Sequence, residues 1–148
     1  MIDFTIDTQI ARPPAQVFAY VTDPSRLATW QTNTVSAVPE PAGALRLGSR
    51  IREVHRGPGG KQVSSLVEVS AFEPDRVFSL RMIEGPLPAD ARIVLEPSGQ
   101  GTRMSFTVHG EPGGPLRFLQ PLMRAALRHQ FREHCATLKR VLEQQPGA

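Results

Sequence analysis

Residues 13–30 read PPAQVFAYVTDPSRLATW and place two prolines and the only tryptophan of the chain close to its start. A strand leads into them, because apolar and polar residues alternate from Ile2 to Ile10. The two prolines end that strand, and proline suits the first turn of a helix. Apolar residues at helical spacing then predict one short helix, and Asp23-Pro24 predicts the start of a second that reaches Trp30.

The chain beyond Trp30 alternates strand-like segments with turn sequences, as in an antiparallel meander. Residues 57–60 (GPGG) and 98–101 (SGQG) are two of these turn sequences. The pattern predicts six further strands, at about Thr32–Val38, Ser49–Arg56, Gln62–Phe72, Arg76–Ile83, Ala89–Glu96 and Thr102–His109.

A glycine- and proline-rich loop at residues 110–115 precedes the only long helical pattern, which extends to about Gln144. Pro121 either kinks this segment or marks the start of the long helix. Apolar residues at spacings of four and seven form one stripe along it, made up of Leu116, Met123, Leu127, Phe131, Leu138 and Leu142.

The predicted fold is therefore α+β. It consists of a curved antiparallel seven-stranded sheet, two short helices after the first strand and a long C-terminal helix. A sheet of this size exposes a large apolar face that one helix covers only partly. The arrangement therefore leaves an apolar cavity between the helix and the sheet, of the kind that binds small molecules.

The composition predicts one globular domain, residues 1–148, with 40% hydrophobic residues to form a core. No apolar run approaches the roughly 20 residues of a membrane helix and no leader pattern is seen, so we expect a cytoplasmic protein without stable membrane insertion.

The net charge is only +3 and most arginines are scattered, which argues against nucleic-acid binding. With one cysteine, Cys135, and four dispersed histidines, we expect no disulfide, metal or other cofactor. A monomer and a homodimer both remain open.

These features resemble the START-like, helix-grip superfamily, also called SRPBCC, and within it the bacterial polyketide cyclase/dehydrase-type proteins. The resemblance covers residues 2–143. It is carried by Ala11-Arg12-Pro13-Pro14, Val17-Phe18, Asp23-Pro24 before Trp30, Leu47-Gly48-Ser49, Val67-Glu68-Val69, Phe72-Glu73-Pro74-Asp75-Arg76, Gly101-Thr102-Arg103 and Leu138-Lys139-Arg140. It implies that the two short helices close one end of the sheet and that Trp30 packs at the edge of a cavity for a hydrophobic small molecule. The alternative is that Trp30 is an ordinary core residue.

Three polar residues are candidates for catalysis. His134 lies within the apolar stripe of the long helix, where it could orient a ligand oxygen, move a proton, or simply be a hydrogen-bonded core histidine. Glu53 and His55 share one face of a strand with Ile51, and could act as base and acid if that face points into the cavity. Otherwise both lie at the solvent-exposed end of the strand, since a register change of one residue would turn them outward.

The remaining candidates are ligand-binding residues on predicted inward faces: Trp30, Ser65, Phe78, Leu80, Met82, Phe106, Gln120, Met123, Leu127 and Phe131. Arg117, Arg124 and Arg128 follow one flank of the long helix. Such a row can contact an anionic membrane or a carboxylated ligand, or can be an ordinary solvated helix face.

The sequence supports three functional hypotheses. The first is a carrier or sensor that binds a lipid-like or polyketide-like molecule. The second, implied by the resemblance, is a polyketide cyclase/dehydratase-type enzyme that holds a poly-ketone chain for aldol cyclisation and dehydration. The third is a co-chaperone-like interaction module, which would need an exposed apolar patch on the outer face of the sheet.

Overall fold

The computed structural model describes residues 2–86 and 88–146, and for Pro58 and Leu116 the backbone only. Within these ranges, seven strands form one antiparallel sheet. The strands are β1 (Ile2–Ile10), β2 (Thr34–Glu40), β3 (Arg50–Arg56), β4 (Gln62–Glu73), β5 (Val77–Glu84), β6 (Ala89–Ser98) and β7 (Gly101–Gly110). Their order across the sheet is β1-β7-β6-β5-β4-β3-β2, so β1 and β2 form its two edges.

The same ranges contain three α-helices: α1 (Pro14–Val21), α2 (Leu27–Trp30) and α3 (Gln120–Gln144). Short 3₁₀ turns lie at Pro24–Arg26, Pro58–Gly60 and Gly114–Leu119. The side chain of Asp23 accepts a hydrogen bond from the backbone N–H of Ser25 (3.0 Å), which caps the turn that leads into α2.

This architecture confirms the predicted α+β fold with its two short helices, seven-stranded sheet and long C-terminal helix. Pro121 lies in the first turn of α3 and so marks its start rather than a kink. The second strand begins at Thr34 instead of Thr32, because the backbone N–H of Thr34 donates to the carbonyl of Gln31 (2.9 Å) and closes a turn after α2. The side chain of Leu116, predicted to begin the apolar stripe, lies outside the described residues.

Helix α3 runs along the edge strand β1. Near its start, Arg124 Nε donates to the carbonyl of Asp3 (3.0 Å), and further along Lys139 Nζ donates to the carbonyl of Gln9 (2.6 Å). The C-terminal half packs tightly on the core, where Leu138 and Leu142 are fully buried. The N-terminal half is more open, and its apolar residues are only partly buried against the core. A space therefore remains under this half of the helix.

The loop after β1 holds the C-terminal end of α3. The guanidinium of Arg12 donates to the backbone carbonyls of Glu143 (2.6 Å) and Gln145 (2.5 Å). The backbone N–H of Ala11 donates to the Glu143 carboxylate (2.8 Å), and Thr102 Oγ1 donates to the Arg12 carbonyl (2.7 Å). The two Arg12 bonds satisfy carbonyl groups that a helix end leaves without intrahelical partners, and the four bonds together tie the end of α3 to the corner of the sheet.

Candidate functional site

A cavity of about 670 Å³ lies between the concave face of the sheet, α2 and the N-terminal half of α3. Small-molecule sites usually measure a few hundred to about a thousand Å³. Alternation along the central strands turns apolar side chains into the cavity, among them Phe78, Leu80 and Met82 of β5, Ala91 and Ile93 of β6, and Phe106 and Val108 of β7. The walls formed by these strands are therefore mainly apolar, and the side chain of Asp90, which also lines the cavity from β6, is exposed.

A group of polar side chains lies where β3, β4 and α3 meet around the cavity. Glu53 and His55 of β3 both line it, and Glu53 is buried. Ser65 of β4 pairs with Glu53 across the ladder and lines the cavity as well. His134 of α3 completes the group. The face of β3 that carries Glu53 and His55 is thus the inward one, and the solvent-exposed alternative for this pair is wrong.

Glu53 and His55 form the closest pair of ionisable groups in this cluster. Glu53 Oε1 and His55 Nε2 are 3.7 Å apart, too far for a direct hydrogen bond but close enough to act on the same ligand atom. Burial raises the pKa of Glu53 to about 7, because water no longer stabilises its charged form. Burial also lowers the pKa of His55. At neutral pH the carboxyl group therefore exchanges a proton readily beside a largely neutral imidazole.

His134 is held in position by its neighbours on two sides. Burial lowers the pKa of His134 to about 4, and repulsion from a charged His55 is the second cause of this shift. The negative charge of Glu133 and a hydrogen bond to the backbone of Trp30 raise the pKa, but by less. Its ring packs edge-on against Phe131, with centroids 5.4 Å apart. A neutral imidazole that donates through one nitrogen can accept through the other. His134 is thus a hydrogen-bonded histidine that also lines the cavity.

Trp30 is both a core residue and part of the cavity wall. Its ring is fully buried and packs edge-to-face on Phe106, with centroids 6.3 Å apart. Its indole Nε1 is buried and has no hydrogen-bond partner among the described residues, and the same holds for the side-chain oxygen of Asn33, another lining residue. Buried polar atoms are normally paired, so these two are candidate contacts for a ligand.

Most of the predicted site residues lie around this cavity. The lining includes Trp30, Glu53, His55, Ser65, Phe78, Leu80, Met82, Phe106, Leu127, Phe131 and His134. Gln120 and Met123 are not among the described lining residues, since α3 reaches the cavity only from Ala126 onwards; Met123 packs against the core instead. Whether any of these residues binds a ligand or takes part in catalysis stays a prediction.

Sequence reasoning missed some polar lining residues. Gln130 lies one helical turn before His134, so a spacing of four could have revealed it. Asn33 lies in the turn between α2 and β2, where no hydrophobic period indicates which way a side chain points.

Burial raises the pKa of the Cys135 thiol to about 12, so this side chain supplies no thiolate.

In the described ranges, no group of three or more histidine, cysteine, aspartate or glutamate residues is placed to hold a metal ion. Across those ranges, none of the helices combines the length and the apolar character that crossing a bilayer requires.

The sequence matches the model of the family described as "Polyketide cyclase / dehydrase and lipid transport" over residues 1–143. The chain belongs to this family. The match confirms the START-like resemblance and, together with the cavity, supports ligand binding in general. Comparison with the curated proteins found no match.

Solved structures share the fold over nearly their whole length. Protein NE0264 from Nitrosomonas europaea superposes with a TM-score of 0.78 at 17% identity, over 97% of this chain and 95% of that one. TTHA0849 from Thermus thermophilus gives a TM-score of 0.73 at 22% identity, over 96% and 94%. Ara h 8.0201 gives 0.73 at 14% identity, over 97% and 98%. At such identities the similarity shows the helix-grip fold and not the ligand.

Proposed function

We propose that this chain binds a hydrophobic small molecule that has an oxygen-bearing end, lipid-like or polyketide-like, and acts as its carrier or sensor. The observation that carries the proposal is the cavity of about 670 Å³, whose apolar walls surround a contiguous group of polar side chains. A ligand with one polar end and an apolar body matches that distribution.

The polar group is contiguous because each member is linked to the next. Glu53 lies 3.7 Å from His55, and His55 is near enough to His134 to influence its pKa. His134 in turn hydrogen-bonds the backbone of Trp30, whose indole N–H is unpaired within the described part of the chain. Asn33 also lines the cavity, and its backbone carbonyl accepts a hydrogen bond from the backbone N–H of Arg56 (2.8 Å), the residue after His55 on β3.

The protonation states of this group favour a carbonyl or hydroxyl oxygen over a strongly charged ligand group. His134 is neutral at pH 7, and because one ring nitrogen donates to the backbone of Trp30, the other can accept a hydrogen bond from a ligand. Glu53 is close to half-protonated, so its carboxyl group can either donate or accept. The indole N–H of Trp30 adds a donor. Two charged side chains, Arg56 and Asp90, also line the cavity, but both are exposed. A ligand charge buried beside Glu53 and His134 would find no fixed opposite charge there and would be costly.

The test uses Trp30, the only tryptophan of the chain, as an intrinsic probe. The protein is titrated with fatty acids, isoprenoid quinones, sterols and aromatic polyketides, and Trp30 fluorescence is followed. We expect saturable quenching by one class. The variant Ala91→Phe, which fills the cavity, should lose the response, whereas Ala125→Phe, exposed on α3 and outside the lining, should retain it. No response to any class from folded protein would contradict the proposal.

A second candidate function is cyclisation and dehydration of a poly-ketone chain, and the observation that favours it is the presence of Glu53, His55 and His134 in one cavity. A base removes a proton from a methylene between two carbonyls, and the resulting enolate carbon attacks a further carbonyl. The new alkoxide takes a proton, and loss of water then gives the double bond. Glu53, with a pKa of about 7, is matched to the first proton transfer.

The two candidates are separated by measuring binding and turnover on the same variants. A poly-ketone thioester is incubated with wild-type protein and with Glu53→Gln and His134→Ala, and cyclised product is followed by chromatography. Turnover that either substitution abolishes while binding persists would support the enzyme and overturn the simple carrier. Binding without turnover in the wild type would support the carrier.

The outer face of the sheet does not favour the co-chaperone-like alternative. Glu68 lies between Arg50 (3.4 Å) and Arg81 (2.9 Å), and Arg52 pairs with Glu84 (3.4 Å). These side chains place charge on the outer face across β3, β4 and β5, whereas an interaction module of that kind would need an exposed apolar patch there.

A further inference from the structure

Three large apolar side chains are exposed where the chain enters α3. Phe118 and Leu119 lie in the 3₁₀ turn before the helix and Leu122 in its first turn. The exposed fractions of Phe118 and Leu122 are 75% and 71%, and that of Leu119 is 47%. All three lie within five residues at the start of α3, so they form one exposed apolar cluster and are not scattered along the chain.

The same segment is strongly basic. Between residues 112 and 132 there are four arginines and no acidic residue. The guanidinium of Arg117 stacks on the ring of Phe118, 5.0 Å from its centroid. Arg124 and Arg128 follow on the first turns of α3, and Arg124 also donates to the edge of β1. Exposed apolar side chains thus stand next to several positive charges.

We propose that Phe118, Leu119 and Leu122, together with Arg117, Arg124 and Arg128, form a basic apolar tip that docks on the surface of an anionic lipid membrane. Apolar side chains enter the interface between headgroups and acyl chains, while arginines contact lipid phosphates. Docking of this kind lies on a bilayer and needs no spanning segment. A second copy of the chain fits the tip poorly, because a two-fold contact would bring the arginines of both copies together.

The position of the tip relates it to the cavity. Leu122, Ala126, Gln130 and His134 follow one another at spacings of four and lie along one row of α3. The last three line the cavity, so the row continues directly from the cavity wall to the exposed tip. A docked tip would hold this end of the cavity against the lipid surface. That consequence rests on the proposed ligand binding, whereas the docking itself does not.

The test is co-sedimentation of the ligand-free protein with phosphatidylcholine vesicles, with and without phosphatidylglycerol. We expect binding to the anionic vesicles only, weakened by salt because screening shortens the reach of the arginine charges. The double variant Phe118→Ser/Leu122→Ser should lower the partition coefficient about tenfold or more. The matched control Val38→Ser/Leu47→Ser removes side chains that are 54% and 66% exposed elsewhere, and should bind like wild type.

The charge is tested separately. Arg117→Gln/Arg128→Gln should lower binding to anionic vesicles about tenfold, whereas Lys61→Gln/Arg140→Gln, which removes the same charge from exposed positions elsewhere, should change it little. Circular dichroism and Trp30 fluorescence check that every variant is folded.

Three outcomes would overturn the docking proposal. The first is wild-type protein that stays in solution with anionic vesicles. The second is binding that the tip variants leave unchanged. The third is self-association that Phe118→Ser/Leu122→Ser abolishes while vesicles have no effect, which would make a second copy the occupant. Because no ligand is present, failure here would leave the proposed ligand binding untouched.

Discussion

Glu53 and His134 are ionisable side chains that burial in one cavity moves towards their neutral forms. The pKa of Glu53 rises from 4.5 to about 7, and that of His134 falls from 6.5 to about 4. Both shifts have the same leading cause, loss of hydration, but they act on groups of opposite charge. Their contributions to the pH dependence of folding therefore have opposite signs.

The sign follows from which state binds more protons. The stabilising contribution of Glu53 is complete below about pH 4.5 and is lost as pH rises through 7. The contribution of His134 is complete above about pH 6.5 and is lost as pH falls through 4. In the wild type, between pH 4.5 and pH 6.5, the Glu53 contribution to the free energy of unfolding falls with pH while the His134 contribution rises. We expect the free energy of unfolding to change little across that window on their account.

Glu53→Gln should remove the Glu53 contribution to the pH dependence of the free energy of unfolding and leave that of His134 visible. Its free energy of unfolding should rise between pH 4 and pH 6.5, with about 3 kcal/mol of the rise from His134, because the contributions of His134 and His55 are then unopposed by that of Glu53. His134→Asn should show the opposite trend, a fall between pH 4.5 and pH 7. Urea denaturation at a series of pH values measures both.

The controls for this experiment are the exposed residues Glu96 and His129, substituted by Gln and Asn. Their profiles should follow that of the wild type. A Glu53→Gln profile that also coincides with the wild type would mean that the cavity does not bury the carboxyl group as described.

At the scale of elements, the junction of β1, β7 and the C-terminal end of α3 explains several of the residues that carry the family resemblance. Arg12 bonds the last carbonyls of α3, and Thr102 holds the carbonyl of Arg12 in place. Gly101 begins β7 directly against the end of β1. Contacts between residues far apart in the chain but adjacent at one corner of the sheet thus hold the end of the 25-residue helix α3.

Gly101→Ala should destabilise the protein by about 2 kcal/mol. A Cβ at this position would lie 2.3 Å from the carbonyl oxygen of Ile10 and 3.1 Å from the Cα of Ala11, and backbone atoms cannot move aside as a flexible side chain does. Gly113→Ala is the matched control, since its Cβ would meet no atom within 4 Å. Its φ of −98° suits alanine, so its stability should equal or slightly exceed that of the wild type.

Urea denaturation compares these two variants. Equal stabilities for both would show that the end of β1 relaxes around the added methyl group, and that close packing at this corner does not position α3.

At the scale of the whole molecule, the two halves of α3 differ in how deeply their apolar side chains are buried. Leu138 and Leu142 are fully buried against the core, whereas Leu127 and Phe131 are only partly buried and line the cavity. Local stability follows the density of buried contacts. The C-terminal half of the helix should therefore open only with the whole fold, and the N-terminal half more readily.

Hydrogen exchange should show this division directly. We expect faster amide exchange in residues 123–131 than in residues 135–142 of the ligand-free protein. A ligand that quenches Trp30 should slow exchange in the first range and leave the second nearly unchanged, because it supplies the contacts that the cavity lacks. The cavity-filling variant Ala91→Phe should no longer respond to the ligand in this way. Uniform exchange along α3, unaffected by ligand, would contradict this account.

Particular residues show how far the sequence could be interpreted. Strict alternation on β3 placed Glu53 and His55 on one face with Ile51, and the fold turns that face inward. Helical periodicity identified His134 but also included Gln120 and Met123 in the same set. These two residues precede the part of α3 that lines the cavity, and a hydrophobic period does not indicate where along a helix the cavity begins. Nothing in the sequence indicated that Asn33 lines the cavity, because a turn has no hydrophobic periodicity that shows which way a side chain points.

The order of the elements and the grouping of strand and helix residues by face could be determined from the sequence alone, because both depend on local backbone preferences and on periods of two or 3.6 residues. The tertiary structure decided which face of β3 points inward and that Pro121 starts α3 instead of kinking it. The tertiary structure alone decided that His55 of β3 and His134 of α3 influence each other and that the indole N–H of Trp30 has no partner within the described residues. It also decided that the N-terminal half of α3 covers a cavity rather than the core. These features depend on the angle at which α3 crosses the sheet, which contacts between residues distant in the chain determine.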